Sequence, residues 1–327
     1  DLPKGLSWKD GLDQPELGSA RAQKGGTFNT YFSGLSFPPT IRSIGKNANN
    51  SFRSEHWDNI EMALVSLHPN TMETIPGLAD RWAVGEDGRT VYFRINEKAS
   101  WSDGNPVTVD DFFMTFHVSL SEYVTGPWYR QYYGTMFENI TRYDDRHLSV
   151  RLANKKPKPE YYASLTPYSR AFYREFGPDF ESRYNWRVRP TTGAYQILKS
   201  DVVKGRSITL SRVKDWWAAD QKYYRHRFNV DRIKYSVVRS DEKVFELFKK
   251  GEIDMFHLGL PKRWYEQMEI PEVFNGYIEK KTFYNVYPRV PRGLYINHSR
   301  PFLENLEVRI GLQHATNWQK VIDVDLR

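Results

Sequence analysis

The chain contains no cysteine, which excludes disulfides, thiolate metal sites and a cysteine nucleophile. The compartment stays open, because a cysteine-free chain is at ease in oxidising surroundings. Long apolar runs are missing as well, and none approaches the roughly 18 residues that suggest a membrane-spanning helix. The opening Asp1-Leu2-Pro3-Lys4 carries none of the basic and apolar segments of a signal peptide, as expected of a cytoplasmic chain or of a processed, mature one. Histidine is sparse, with eight in all. No two stand four positions apart and no HExxH occurs, so the spacing predicts no metal site. There is no GxGxxG. Gly45-Lys46 is followed by Asn47 and has Thr40 where a phosphate-cradling loop needs glycine, while Gly34-Leu35-Ser36-Phe37-Pro38 lacks the closing glycine of a nucleophile elbow. Asp110-Asp111 and Asp144-Asp145 are adjacent carboxylates, but the first pair opens a helix and the second reads as a turn. Acid–base work needs two groups facing one substrate, which adjacency does not supply. The expectation is a protein without catalytic residues, metal or cofactor.

Excess charge is modest. The 47 Lys and Arg are mixed with 40 Asp and Glu along the whole length, for a net charge of +7. The densest basic cluster, Lys155-Lys156-Pro157-Lys158, sits among prolines and reads as a solvated loop, so no nucleic-acid partner is expected. Positive charge of this size instead favours acidic ligands or an anionic surface. Present in quantity are hydrophobic residues (39%) and aromatic ones (15%), enough to exclude disorder and to build aromatic-lined surfaces. A length of 327 residues predicts two or more domains.

The residue pattern is mixed α/β. Alternation at Val91-Phe93-Ile95, Leu148-Val150-Leu152, Ile208-Leu210 and Ile233-Tyr235-Val237 predicts strands. Asp87-Gly88 and Asp103-Gly104 are turn dipeptides. Thr108 followed by Asp111 predicts a capped helix whose apolar face is Phe112, Phe113, Phe116 and Leu120. A second helix is predicted from Ser240 through Lys250, stopped by Gly251. A third is expected over about 55–67, with Trp57, Ile60 and Leu64 inward. The polar, turn-rich first 25 residues are expected to wrap the surface.

Three segments are candidates to line a ligand cleft. One is Thr30 to Phe37, an apolar strand running into a Ser/Gly loop and containing Tyr31, Phe32, Ser33 and Gly34. Another is Pro127 to Tyr133, where aromatics crowd around an arginine and Trp128 and Arg130 are the candidates. The last is Tyr184 to Tyr195, at a suspected interdomain crossing, with Trp186, Arg187 and Thr192. A core strand, ordinary packing and a plain loop are the competing explanations for all three.

The succession Met72 to Trp82 ("METIPGLADRW"), Glu86 to Ile95 ("EDGRTVYFRI") and Trp101 to Phe112 ("WSDGNPVTVDDF") resembles the signature of the family 5 extracellular solute-binding proteins. Further segments resemble family landmarks in the same order. They are Lys24-Gly25-Gly26-Thr27-Phe28, Pro190 to Leu198 with Ala194 where proline is commoner, Ser207 to Trp217, Lys250-Gly251-Glu252-Ile253-Asp254, and Arg292 to Arg309. The ending Asn317 to Ile322 resembles the YejA-like subgroup. The resemblance implies an α/β, type II periplasmic-binding-protein-like, two-lobed hinged clamp. It places a discontinuous first lobe at 1–50 and 186–285, an inserted α/β domain at 51–185, and the start of the C-terminal lobe at 286–327, most of that lobe having no counterpart in this chain. It also implies a periplasmic or extracellular substrate-binding component of an ABC importer, capturing peptides as a monomer and delivering them to a membrane permease. The alternative is the same fold with a non-peptide cargo such as an oligosaccharide, opine, haem or nickel complex. Ser33 and Gly34 would offer backbone partners to an extended ligand, and Trp186, Arg187 and Thr192 would lie on the hinge side.

Overall fold

The computed structural model describes residues 1–55, 60–259, 261–288 and 293–325. The chain divides into two units, Asp1–Asp254 and Met255–Arg327. In the first unit, a four-stranded antiparallel sheet has the order β4-β5-β7-β6, from Ala79–Val84, Thr90–Ile95, His147–Leu152 and Phe137–Arg142. Its inner face is the predicted alternation: Val91, Phe93 and Ile95 on β5 and Leu148, Val150 and Leu152 on β7 are all fully buried. Val91 lies opposite Val150 and Phe93 opposite Leu148, and such cross-strand apolar pairs stabilise a sheet. Asp87-Gly88 makes the β4–β5 turn. Gly88 takes φ +65°, and the Asp87 carboxylate accepts from the backbone N–H groups of Arg89 and Thr90 at 3.0 and 2.9 Å.

Helix α2 (Val109–Leu120) begins where predicted, with the Thr108 N–H donating to the Asp111 carboxylate at 3.0 Å. Its buried face differs from the expected one. Phe112 is fully buried and Phe116 packs edge-on against Tyr133 and Phe137, but Phe113 and Leu120 are exposed. Thr115, Val118 and Ser119 complete the inward stripe. Thr115 can be buried because its hydroxyl donates to the Asp111 and Thr166 carbonyls, a satisfaction that apolarity alone does not reveal. Helix α3 (Pro127–Met136) follows, with proline in its first turn, where the missing N–H costs nothing.

A second, mixed sheet has the order β1-β11-β10-β8, from Thr27–Tyr31, Arg232–Ser236, Ser207–Arg212 and Tyr195–Gln196, with β9 (Val202–Val203) also on β10. Strand β1 runs parallel to β11 and β10 antiparallel to it. Ile208, Leu210 and Tyr235 face the core, whereas Asn29, Lys234 and Thr209 align across the other, polar face. The outer edge of β1 is held by Asp254, whose N–H donates to the Asn29 carbonyl at 2.9 Å. Helix α6 (Asp241–Lys249) leads back to it. Its cap, the Ser240 hydroxyl, accepts from the Lys243 N–H, Val244 is buried, and Gly251 at φ +71° lets the chain turn away.

The mixed sheet takes its strands from the two stretches assigned to the first lobe, and the antiparallel sheet lies within the stretch assigned to the inserted domain. A single apolar cluster nonetheless runs through both, from Phe32, Ile208 and Leu210 to Trp82, Phe93 and Phe112. The second unit carries helices at Pro271–Phe274, Pro301–Glu304, Leu306–Ala315 and Trp318–Asp325.

Of the helix expected over 55–67, residues 56–59 lie outside the described residues, and it does not continue through 61–67. Helix α1 is Ser51–Arg53, and Val65–Leu67 is strand β2, paired with β3 (Thr74–Pro76). Trp57 lies outside the described residues. Ile60, Met62, Leu64, Val65 and Leu67 are all buried, yet their surroundings are tertiary. The N–H of Met62 donates to Thr192 Oγ1, that of Leu64 to the Leu165 carbonyl, and that of Val65 to Ser164 Oγ. Each donor finds a distant partner in place of the carbonyl one turn back, so tertiary pairing overrides the local helical spacing.

Candidate ligand-binding site

Where β1 ends, the chain makes a turn closed by the Leu35 N–H donating to the Phe32 carbonyl at 2.8 Å. Ser33 and Gly34 are its exposed corners. Among the described residues, no hydrogen bond engages the backbone N–H or carbonyl of either. Gly34 approaches Ser51 closely: a Cβ there would meet Ser51 Oγ at 2.8 Å. Tyr31 is half-buried. Phe32 is fully buried, with its ring stacked on Tyr235 and edge-on to Phe37 and Phe52. As a ligand contact Phe32 is corrected, since it anchors the turn from below and presents no surface.

The crossing segment reaches the same place. The Trp186 ring stacks on Phe37 with centroids 5.6 Å apart and planes 16° from parallel, and Lys204 Nζ sits 4.9 Å over the Trp186 ring. Two stretches about 150 positions apart thus share one aromatic stack beside the turn. Arg187 is exposed but engaged: its guanidinium pairs with Glu175 at 2.8 Å and lies over the Tyr184 ring. Thr192 is fully buried. Its N–H and hydroxyl donate to Glu61 at 3.3 and 3.1 Å, while its carbonyl accepts from the indoles of Trp216 and Trp217 at 2.8 and 3.0 Å. Next to it, Arg189 and Glu61 form a buried ion pair at 2.9 Å. Thr192 is therefore also corrected, because it locks the crossing into the core and faces no ligand.

The third segment stands apart. Trp128 on α3 is 59% exposed and stacks on Tyr132 at 4.9 Å, and Arg130 is exposed. Neither makes a hydrogen bond or ring contact with the other two segments among the described residues. Three surface clefts lie elsewhere. A cleft of about 580 Å³ lies between α2 and the 169–176 stretch, and one of about 500 Å³ covers the polar face of the mixed sheet. Another of about 500 Å³ lies beside Trp216 and Trp217, and none of the three is lined by any of the nine.

The residue that sequence reasoning missed is Glu55. Its carboxyl is half-buried and within electrostatic reach of the hydroxyls of Ser33 and Tyr235. Burial pushes it above the usual carboxylate range, and the two hydroxyls pull it part of the way back. Burial likewise raises the Tyr235 phenol, with the Glu55 charge adding to the effect. Nothing in the local sequence signals this group, since one of its partners lies about 20 positions before it and the other about 180 after.

Residues 73–326 match the family described as bacterial extracellular solute-binding proteins, family 5 Middle, and the chain belongs to that family. Its members are binding proteins, not enzymes. A Brucella melitensis protein described only as a binding protein is 27% identical over 313 residues, covering 94% of this chain and 49% of that one. A probable peptide-binding protein YejA of Agrobacterium fabrum is 23% identical over 325 residues, covering 97% and 51%. Haemophilus influenzae OppA, solved in complex with RPPGFSPFR, superimposes with a TM-score of 0.64 at 16% identity, over 92% of this chain and 57% of that one. The fold is thus that of the type II periplasmic binding proteins. The chain spans about half the length of the relatives it matches.

Proposed function

We propose that this chain forms the ligand-capturing part of an ABC importer's substrate-binding component, acting outside the cytoplasmic membrane. Its cargo is an oligopeptide handed to a membrane permease. The lobes are those the resemblance implies, 1–50 with 186–285 and then 51–185, with 286–327 opening the second lobe; the protein works as a monomer in the periplasm. The observation that carries the reading is the Ser33–Gly34 turn. It offers unengaged backbone groups beside the Phe37–Trp186 stack. An extended peptide adds to such an edge through main-chain hydrogen bonds, with side-chain pockets left tolerant. Trp186 then supplies an apolar wall, Tyr31 and Arg187 lie on the surrounding surface, and Trp128 and Arg130 are candidates on the separate face of α3.

The test is calorimetry on the full-length protein with a peptide series, together with mass spectrometry of the co-purified ligand. Trp186→Ala removes the outer ring of the stack and should weaken peptide binding about tenfold, equivalent to roughly 1.4 kcal/mol. An unchanged affinity in Trp186→Ala and Arg187→Ala would end the assignment of the crossing segment. Recovery of an oligosaccharide, opine, haem or nickel complex in place of a peptide would replace the cargo.

A further inference from the structure

The mixed sheet packs Tyr235 against Phe32 on its core side, and its opposite, polar face carries an arrangement of another kind. Arg232 and Lys234 are two positions apart on β11 and therefore share that face, roughly 7 Å from each other. Lys234 lies opposite Asn29 of β1 and Thr209 of β10. Arg206, just before β10, joins the two cations in lining the cleft of about 500 Å³. The cleft is also lined by Ser207 and Thr209, which are only 7% and 6% exposed. Among the described residues, neither hydroxyl has a hydrogen-bond partner, and neither Lys234 nor Arg206 has an acidic one. The acid in the cleft is Asp201, and its carboxylate is already occupied. It accepts from the Leu198 N–H at 3.0 Å and the Ser211 hydroxyl at 2.9 Å, and it pairs with Arg232 at 3.4 Å. Asp254, at the outer edge of β1, is engaged by the N–H and the side-chain amide of Asn29. Like charges on neighbouring positions of a sheet face repel, and a buried hydroxyl without a partner is unfavourable. A single anion seated in the cleft offsets both.

We propose that this face is an anion site that takes the phosphate group of a phosphate ester. A phosphate ester presents three strong acceptor oxygens in a tetrahedral array, which suits hydroxyl donors below and guanidinium and ammonium groups around them. A planar carboxylate, with two oxygens, leaves part of this donor set unmatched. The cleft volume of about 500 Å³ lies in the range of small-ligand sites, so there is room for the group to which the phosphate is esterified. The inference goes beyond the peptide reading and does not depend on it. None of the residues that line the cleft belongs to the Ser33–Gly34 turn or to the Phe37–Trp186 stack. Two sources offer the same chemistry, a soluble phosphorylated solute and a phospholipid head group at a membrane surface.

The experiment has two arms, both on the full-length protein. One is titration calorimetry with glycerol phosphate, with glycerol as the uncharged control. The other is co-sedimentation with vesicles of equal parts phosphatidylglycerol and phosphatidylcholine, with phosphatidylcholine alone as the reference. Binding of the soluble ester alone identifies a solute as the source, binding of the vesicles alone identifies a head group, and binding of both identifies the shared phosphate. In whichever arm the wild type binds, the double variant Arg206→Gln/Lys234→Gln should weaken binding by about 10- to 100-fold, the range of charge-assisted hydrogen bonds. Thr209→Val, which keeps the shape and removes the hydroxyl, should weaken it about tenfold. An unfolding midpoint equal to that of wild type shows that each variant is folded. Lys155→Gln/Lys156→Gln makes the same change of net charge in a loop away from the sheet and should leave binding unchanged. If that control loses as much as the Arg206 and Lys234 variant, the attraction is diffuse and the site is overturned. The site is equally overturned if neither probe binds the wild type, or if the Arg206 and Lys234 variant binds as tightly as wild type.

Discussion

Removing Glu61 should be among the most damaging single changes available in the first unit. Its side chain is 1% exposed and that of Arg189 is 7%, with the ion pair at 2.9 Å. The same carboxylate accepts the N–H and hydroxyl of Thr192. Glu61→Ala therefore takes the Glu61 carboxylate away from a buried guanidinium, a loss of about 3–5 kcal/mol. The Thr192 hydrogen bonds overlap with that figure, so about 4 kcal/mol is expected in all. In a domain of this size each kcal/mol moves the midpoint by about 2–4 °C, giving a drop of roughly 8–16 °C. The assay is thermal and urea unfolding of the full-length protein followed by tryptophan emission. Pairing Glu61→Leu with Arg189→Met removes both charges at similar volume, and a buried ion pair can often be replaced in this way at small cost. The double variant should recover most of the loss, leaving about 1–3 kcal/mol for the Thr192 donors that lose their acceptor. A single variant within about 2 °C of wild type would refute the reasoning. So would a double variant as unstable as the two singles summed, because the cost would then lie in packing and not in charge.

Two further outcomes follow from the same unit. Gly193→Ala would set a Cβ 2.0 Å from the Ile60 carbonyl oxygen, and since backbone cannot swing aside, a loss of about 3 kcal/mol is expected; Gly205→Ala, in open space at φ +73°, should lose only about 1 kcal/mol, and equal midpoints for the two would refute the close approach. At Asp87, burial raises the carboxyl, but the N–H groups of Arg89 and Thr90, the Thr90 hydroxyl and the Arg151 charge outweigh it, bringing the pKa down from 3.8 to about 2. A depressed folded-state pKa gives stability that is present above the unfolded value and lost as pH falls through the folded one. Acid unfolding should therefore steepen between about pH 4 and 2 in wild type and flatten there in Asp87→Asn.

Much of the architecture is legible where local chemistry and tertiary environment agree. Asp87-Gly88 and Asp103-Gly104 are turns, Thr108 and Ser240 begin helices, and the alternation on β5, β7 and β10 marks buried faces. The 61–67 part of the expected helix fails because its apolar spacing suits a helix while the N–H groups of Met62, Leu64 and Val65 are claimed by Thr192, Leu165 and Ser164. The candidate site is legible by segment and less so by residue. The stretches around Ser33 and Trp186 do meet, but an aromatic next to a loop reads alike whether it anchors the loop, as Phe32 does, or lines its surface. Glu55 and Glu61 escape notice because a carboxylate's role depends on which distant donors surround it, here Ser33 and Tyr235 for one and Arg189 and Thr192 for the other.

The mixed sheet has a bearing on how the chain comes to be folded at all. Strand β1 opens the sequence, yet Thr27 pairs with Arg232, and the outer edge of β1 is tied to Asp254, 225 positions beyond Asn29. A contact so distant in sequence closes a long loop, and contacts of that kind form slowly. The antiparallel sheet, complete by Leu152, needs no strand beyond it. During synthesis at about 5–20 residues per second, the 79–152 sheet can therefore assemble several seconds before β1 has a partner. Strand β1 waits unpaired in the meantime, an extended segment whose partner β11 emerges about 200 residues later.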